Sequence, residues 1–350
     1  MSKPKYTIAV TGLNAIDSPG PGIAVIRGLK VAESFDVRII GLSYEAMEPG
    51  IYLHNLVDKT YQIPYPSAGQ DVLFERLTYI KEQEEKIDFL FPNFDAELYS
   101  FIKLHKRLEG ELGIKMYLPT LEQFEARHKP NLYEFGTKYE ITVPFAQMIF
   151  SANDIHAVTE KMGFPIVVKG KYYDAKIAYN NEQATQYFNK ISAQWGLPIL
   201  LQEFVQGTEV NVCGIGDGNG NLMGAVPMRK LYITDKGKAW AGVSLDDKEL
   251  IEITRKMVAN TNWRGPFEME FVKTSEGKYY LIEINPRFPA WCYLTVGSGQ
   301  NQMEAMVNIA MGKKVEPFTD YKIGTMFIRY SNDLIVDIKE FEKISTEGEL

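Results

Sequence analysis

Two strand-like segments, Phe267-Glu268-Met269-Glu270-Phe271 and Leu281-Ile282-Glu283-Ile284-Asn285-Pro286-Arg287, carry the densest set of chemically capable side chains in this 350-residue sequence. Period-two alternation puts Glu268 and Glu270 on one face of the first strand, and Glu283 and Asn285 on one face of the second. The intervening turn, Thr274–Gly277, predicts an antiparallel hairpin that brings the two faces together. Three carboxylates and an amide oxygen at one spot repel one another unless a hard cation joins them. Oxygen donors of this kind suit Mg²⁺ holding phosphates, and Arg287 adds a planar donor fork for a phosphoryl oxygen. The bland alternative is a hairpin face whose carboxylates are simply solvated; with both strands patterned and the second ending in Asn-Pro-Arg, the cation reading is preferred.

Other residues could serve the same chemistry. Ile166–Lys169 (IVVK) reads as a buried β-branched strand ending in a lysine, whose desolvation a phosphate would compensate; the alternative is a lysine snorkelling to the surface. Gln202–Val205 offers backbone donors and acceptors between apolar side chains, which suits an adenine edge, although any interior strand offers the same. Met223, Met228 and Met269 could line such a pocket or be plain core. Arg229 and Lys230, near the end of the Leu222–Leu231 strand, could hold a γ-phosphate or a substrate carboxylate, or be solvated.

The elements that must position these residues fall into three stretches. Tyr6–Val10, a Gly/Pro-rich turn at Ser18–Gly22, a helix from Ile23 to about Ala32, a strand at Val37–Gly41, a helix at Asp71–Lys86, a strand at Ile87–Phe91 and a helix at Asn93–Leu104 alternate as in a parallel sheet. Ligands of such sheets gather at the carboxyl ends of the strands, where Thr11–Asn14 and Asn93–Glu97 fall. The turn GLNAIDSPGPG lacks GxGxxG, so a tight turn is expected there and an NAD-dependent enzyme is not. From Thr120 onward a helix over Leu121–Gly136, an extended link at Ile141–Pro144 and a helix at Ile155–Met162 opened by Ser151-x-x-Asp154 lead to the IVVK strand. Strands at Ile199–Val205, Glu209–Ile215 and Leu222–Leu231, a helix at Asp246–Thr261 and the Glu-rich hairpin complete the pattern, with a strand-like run in the tail after Thr325.

Composition limits the function classes. The 38 Lys+Arg against 45 Asp+Glu give a net charge of −7, a poor match for a nucleic-acid binder. Two cysteines, Cys213 and Cys292, argue for buried thiols in a reducing cytoplasm rather than a disulfide framework. The four histidines are isolated, which disfavours zinc. The N-terminal apolar run breaks at Thr11 and Gly12, unlike a signal peptide. Nowhere does an uncharged apolar run approach the roughly 20 residues of a membrane helix, so a soluble, cytoplasmic protein with no membrane partner is expected.

In order and spacing these motifs resemble the ATP-grasp superfamily, in particular its carbamoyl-phosphate-synthase-like branch of carboxylate–amine ligases. Glu270, then Glu283-Ile284-Asn285-Pro286-Arg287-Phe288, resembles the metal-binding end, E-x-N-P-R. Lys129, ahead of a helix leading to Gly136-x-x-Tyr139-Glu140-Ile141-x-Val143-Pro144, resembles the D-K…G-I-x-x-P segment whose lysine meets ATP phosphates. Gly163-Phe164-Pro165-Ile166-Val167-Val168-Lys169 resembles the strand whose lysine contacts the α- and β-phosphates. Gln202-Glu203-Phe204-Val205-x-Gly207-x-Glu209 resembles the hinge that hydrogen-bonds adenine, with Glu209 where the ribose hydroxyls are held. The resemblance covers roughly residues 1–315 and is strongest from 163 to 290.

The resemblance implies an α/β and α+β chain with the ATP-grasp fold: a Rossmann-like domain at 1–120, a small lid subdomain at 121–198, a larger antiparallel-sheet subdomain with the metal site at 199–318, and an extension at 319–350. It implies ATP held by Lys129, Lys169, Lys171, Gln202, Glu203, Phe204, Val205 and Glu209, with Met269 beside the base. Mg²⁺, or Mn²⁺ in its place, would bind Glu270, Glu283 and Asn285, and Arg287, Lys169 and Arg229 would act in catalysis. The implied reaction joins a small-molecule or peptide carboxylate to an amine through an acyl phosphate, in a homodimer. One departure stands out: the glycine- and serine-rich loop expected after the strand lysine reads Gly170-Lys171-Tyr172-Tyr173-Asp174-Ala175-Lys176 here. Either Lys171 or Lys176 replaces backbone donors with charge, which the retained acidic set favours, or the protein is a catalytically silent nucleotide-binding or peptide-docking relative. Carbamoyl-phosphate-type phosphorylation of a small acid is a further alternative, lowered by the single ATP-grasp unit.

Overall fold

The computed structural model describes residues 3–14, 19–170, 174–234 and 237–350. The first stretch forms β1 (Lys5–Val10), α1 (Gly22–Lys30), β2 (Asp36–Ser43), β3 (Lys59–Gln62), α2 (Gln70–Gln83), β4 (Phe89–Phe91) and α3 (Asp95–Arg107). Its four strands are parallel in the order β3-β2-β1-β4. Both faces of the sheet are covered, as parallel sheets require. Ile8, Val10, Ile39, Phe89 and Phe91 enter one apolar cluster, whereas Ala9, Ile40 and Leu90 enter another with Leu77 and Phe101. The described ends of the segment after β1 approach closely: Gly22 N–H donates to Gly12 O at 3.0 Å, and a Cβ on Gly22 would stand 2.2 Å from Thr11 O. The middle of the tight turn expected there, residues 15–18, lies outside the described residues.

The next stretch runs through α4 (Leu121–Ala126), a 3-10 turn at Lys129–Asn131, α5 (Leu132–Tyr139), β5 (Ala146–Ile149), α6 (Ile155–Met162), β6 (Ile166–Gly170), β7 (Ala175–Ala178), α7 (Asn181–Trp195) and β8 (Ile199–Glu203). The single helix expected over Leu121–Gly136 is therefore broken in two. Pro130 explains the break: a proline inside a continuous helix would have no N–H for the carbonyl of Ala126, and its ring would clash there. Helix α4 therefore ends at Ala126, His128 is extended and Pro130 sits in the first turn of a new 3-10 start. The extended link expected at Ile141–Pro144 is followed by the strand β5, and α7 carries no strong sequence signal beyond its cap, in which Asn180 Oδ1 accepts from Gln183 N–H at 2.9 Å. The sheet is antiparallel, in the order β5-β8-β6-β7. Ile166 and Val168 of β6 join Phe188, Ile191 and Leu201 in its core.

The remainder forms β9 (Thr208–Asp217), β10 (Leu222–Ile233), β11 (Ala239–Ser244), α8 (Lys248–Thr261), β12 (Arg264–Lys273), β13 (Tyr279–Asn285), α9 (Tyr293–Gly297), α10 (Gln302–Ala310), β14 (Met326–Ile328) and α11 (Ile338–Glu347). The six strands lie in the order β13-β12-β9-β10-β11-β14. Helix α8 starts two residues later than expected because Asp247 caps it, accepting from Leu250 N–H at 3.1 Å. The chain divides into two compact units, one comprising 1–124, 211–268 and 285–350, the other 125–210 and 269–284. Among the described residues, no helix is long and apolar enough to cross a membrane.

Candidate functional site

Within the second unit, β6 decides where Lys169 goes. Its alternation sends Ile166 and Val168 into the core and so turns Val167 and Lys169 to the opposite face. There the ammonium is held well below its ordinary value, at about 8, first by burial and then by the positive charge of Lys129; Glu283, Glu270 and Glu209 act in the opposite sense. Five charged groups from five places in the sequence thus share one neighbourhood. Lys129 opens the 3-10 turn ahead of α5, Glu209 is the second residue of β9, and Glu270 and Glu283 stand on β12 and β13.

Glu268 does not join them. It belongs to the first unit, is 6% exposed, and accepts from Asn211 Nδ2 at 3.0 Å and Trp291 Nε1 at 2.6 Å on Oε1, and from Asn285 Nδ2 at 3.1 Å on Oε2. Arg287 Nη1 lies 4.0 Å from the same Oε2. A carboxylate already saturated by amide and indole donors is not a metal ligand, so the expectation of three gathered carboxylates is corrected. Among the described residues, no group of three or more His, Cys, Asp or Glu is arranged to hold a metal ion.

Arg287 directs its fork at a carboxylate the sequence did not single out. Its Nε and Nη2 lie 2.9 and 2.8 Å from Asp95 Oδ2, and its Nη1 donates to Phe288 O at 3.2 Å. Asp95 is the first residue of α3, and Glu97 two residues on closes the helix start. Glu97 is 1% exposed, accepts from Thr11 Oγ1 at 2.5 Å, Asn93 N–H at 2.6 Å and Phe94 N–H at 3.0 Å, and also from the Tyr44 hydroxyl. Burial raises its carboxyl above the usual range, and burial with Glu97 beside it raises the Tyr44 phenol. An acidic residue three positions after a helix start is the signal that could have found this network.

The remaining candidates are spread out. Gln202 is buried near the end of β8, Glu203 is exposed and donates its N–H to Phe145 O at 2.9 Å, and Phe204 and Val205 follow the strand, half-buried. Met269 is fully buried on β12, and Met223 and Met228 belong to the core of the first unit. Arg229 is exposed on β10. Lys171 lies outside the described residues; just beyond it, Asp174 O accepts from Gly170 N–H at 3.1 Å and its Oδ2 accepts from Trp195 Nε1 at 2.7 Å. Lys176 is exposed on β7.

The donor chemistry fits a nucleotide with its metal. Magnesium is ordinarily held by one or two carboxylates together with substrate phosphates rather than by an all-protein cage. Two strand carboxylates, Glu270 and Glu283, beside two lysines that can meet phosphate oxygens match that habit.

Comparison with known proteins agrees. Residues 197–328 match the family model described as ATP-grasp in the biosynthetic pathway with Ter operon. The structure is similar to the biotin carboxylase of Campylobacter jejuni in its β,γ-ATP complex, with TM-score 0.71, 18% identity, and 91% of this chain and 74% of that one covered. It is also similar to the biotin carboxylase domain dimer of Hydrogenobacter thermophilus 2-oxoglutarate carboxylase, which holds MgADP and bicarbonate, with TM-score 0.69, 15% identity, and 91% and 73% covered. The fold is that of the ATP-grasp proteins, and residues 197–328 carry the match to one of their family models. In sequence it is 26% identical over 271 residues to the carbamoyl phosphate synthase large chain of Clostridium botulinum (strain Loch Maree), covering 73% of this chain. The chain spans about a quarter of that relative's length, 24%.

Proposed function

We propose that this protein is a magnesium-dependent ligase that uses ATP to activate a small-molecule or peptide carboxylate and transfers the acyl group to an amine. The electrostatic neighbourhood of Lys169, with Lys129, Glu209, Glu270 and Glu283, carries this reading. Lys129 and Lys169 hold the phosphates, and Lys171, outside the described residues, is a further candidate for them. Glu209 takes the ribose hydroxyls, Gln202, Glu203, Phe204 and Val205 take the adenine edge, and Met269 backs the base. Glu270 and Glu283 hold Mg²⁺ or Mn²⁺, with the Asn285 carbonyl oxygen assisting. The metal, when bound, offsets charge on the phosphates.

Lys169 and Arg287 offset the charge that develops on the transferring phosphoryl group, and Arg229 takes the substrate carboxylate. The carboxylate oxygen attacks the γ-phosphorus, the bond to the ADP oxygen breaks, and an acyl phosphate results. The amine nitrogen then attacks the acyl carbon, phosphate leaves, and the nitrogen loses a proton. Carbamoyl-phosphate-type phosphorylation of a small acid shares the first half, and the likeness to carbamoyl phosphate synthases is what favours it as a second reading.

The test is ADP and phosphate release from Mg-ATP with mixtures of ¹⁸O-labelled carboxylates, each assayed with and without amines. Label appearing in phosphate, ADP formation that needs both partners, and turnover lost in Glu283→Gln are expected. Labelled phosphate with carboxylate alone supports the phosphorylation reading. Tight ATP binding without turnover in any mixture supports a silent nucleotide-binding protein and overturns the ligase.

A further inference from the structure

The Glu268 network does something that metal binding alone does not explain. An ionised carboxylate only accepts hydrogen bonds, whereas a primary amide offers two donors on one side and an acceptor on the other. Glu268 Oε2 takes the Nδ2 of Asn285 at 3.1 Å, so it fixes which side of that amide faces inward and which way its carbonyl oxygen is turned. The arrangement serves the carboxylate at a cost elsewhere. Asn211, 0% exposed, also gives its Nδ2 to Glu268, and its own Oδ1 is left without a hydrogen-bond partner among the described residues. Trp291, 5% exposed, completes the set of donors at 2.6 Å. Three buried donors from β9, β13 and the segment before α9 thus converge on one acidic side chain of β12.

We propose that Glu268 is a positioning residue that sets the amide orientation of Asn285, so that this residue presents oxygen rather than nitrogen to the magnesium of a bound nucleotide. The proposal rests on the metal role given to Asn285 above and adds a residue that no ligand set contains. In Glu268→Gln, the new Oε1 can still accept from Asn211 and Trp291, but the new Nε2 meets the Nδ2 of Asn285, donor against donor. Relief comes by turning the Asn285 amide over, which points nitrogen at the cation. In the double variant Glu268→Gln with Asn285→Asp, the introduced glutamine amide donates to one oxygen of the introduced aspartate, and the other oxygen is restored to the metal side.

The experiment is calorimetric titration of ADP, with and without Mg²⁺, into the wild type, Glu268→Gln, Glu268→Asp and the double variant. The quantity read is the gain in ADP affinity that Mg²⁺ brings. Partners that orient a metal ligand typically change metal affinity by about 10–100-fold when exchanged. Glu268→Gln is expected to lose a gain of that order while its metal-free ADP affinity stays at the wild-type value. Glu268→Asp, still acceptor-only, is expected to keep the gain, and the double variant to recover it. A full gain in Glu268→Gln, or a loss that the double variant does not recover, overturns the positioning role. A wild type whose ADP binding is indifferent to Mg²⁺ overturns the metal site itself, and so is told apart before any variant is compared. If Glu268→Gln does not fold, recovery in the double variant and retention in Glu268→Asp decide the matter by themselves.

Discussion

Lys169 is the residue on which the nucleotide reading turns, and its chemistry is pH-sensitive in a definite direction. Its ammonium is held at about 8 by burial and by Lys129. In the unliganded protein, positive charge is therefore lost as pH rises through 8, well before an ordinary lysine would lose it. Phosphate binding restores a counter-charge and pulls a proton back. ADP affinity measured without metal is thus expected to fall between about pH 7 and 9 (roughly one unit either side of that value), with net proton uptake on binding. Lys169→Arg, whose guanidinium stays charged, should flatten that dependence; a wild-type affinity that is flat across the range contradicts it. The linkage to folding has the opposite sense. The unfolded chain binds more protons than the folded one between 8 and the ordinary lysine value, so this group's contribution to stability rises with pH across that window. The lysine itself was legible in the sequence, because IVVK is a buried strand ending in a charge. The fate of Glu268 was not: period two gives a shared face with Glu270, but it cannot say that Asn211, Asn285 and Trp291 would occupy that carboxylate.

Element boundaries follow the same logic of local chemistry. The alternating strands and helices of the first stretch were readable because apolar runs at β1, β2 and β4 sit between helices with amphipathic spacing. The short, half-polar β3, the sparsely apolar α7 and the break between α4 and α5 were harder, since each is decided by tertiary neighbours or by one proline. The start of α3 offers the sharpest test at this scale. Glu97 gathers two backbone N–H groups and two hydroxyls at the carboxyl ends of β1, β2 and β4. Glu97→Ala strips the acceptor from all of them in a buried place, so a loss of about 2–4 kcal/mol in unfolding free energy is expected. Glu97→Gln, which keeps an acceptor oxygen for the backbone donors, should lose less than half as much. Chemical denaturation measures both; since glutamine keeps the side chain's volume, equal losses would show that an amide oxygen cannot replace the carboxylate and would contradict this account of the donors.

At the scale of the whole molecule, a chain of net charge −7 is read as holding one of the most highly charged small anions in metabolism. Placement resolves the contradiction. Lysines 129 and 169 and glutamates 209, 270 and 283 come from elements as much as 154 residues apart (283 − 129), and the fold of the second unit assembles them. A ligand held by such a set stabilises the folded chain by mass action, about 2.7 kcal/mol at a hundredfold excess over its dissociation constant. MgADP should therefore raise the thermal midpoint, and ADP alone should raise it less. The order of the motifs along the chain made the ATP-grasp fold legible in the sequence. The identities of the proposed amine and carboxylate were not legible, because no motif marks the side chains that would select them.

The most direct test is calorimetric titration of ADP, with and without Mg²⁺, into the wild type, Lys169→Ala and Glu283→Gln. The wild type should bind ADP and bind it more tightly with Mg²⁺; Lys169→Ala should weaken binding in both conditions, and Glu283→Gln should lose the magnesium gain while keeping metal-free binding. Absence of ADP binding to the wild type, or a magnesium gain untouched by Glu283→Gln, would contradict the nucleotide site at its centre.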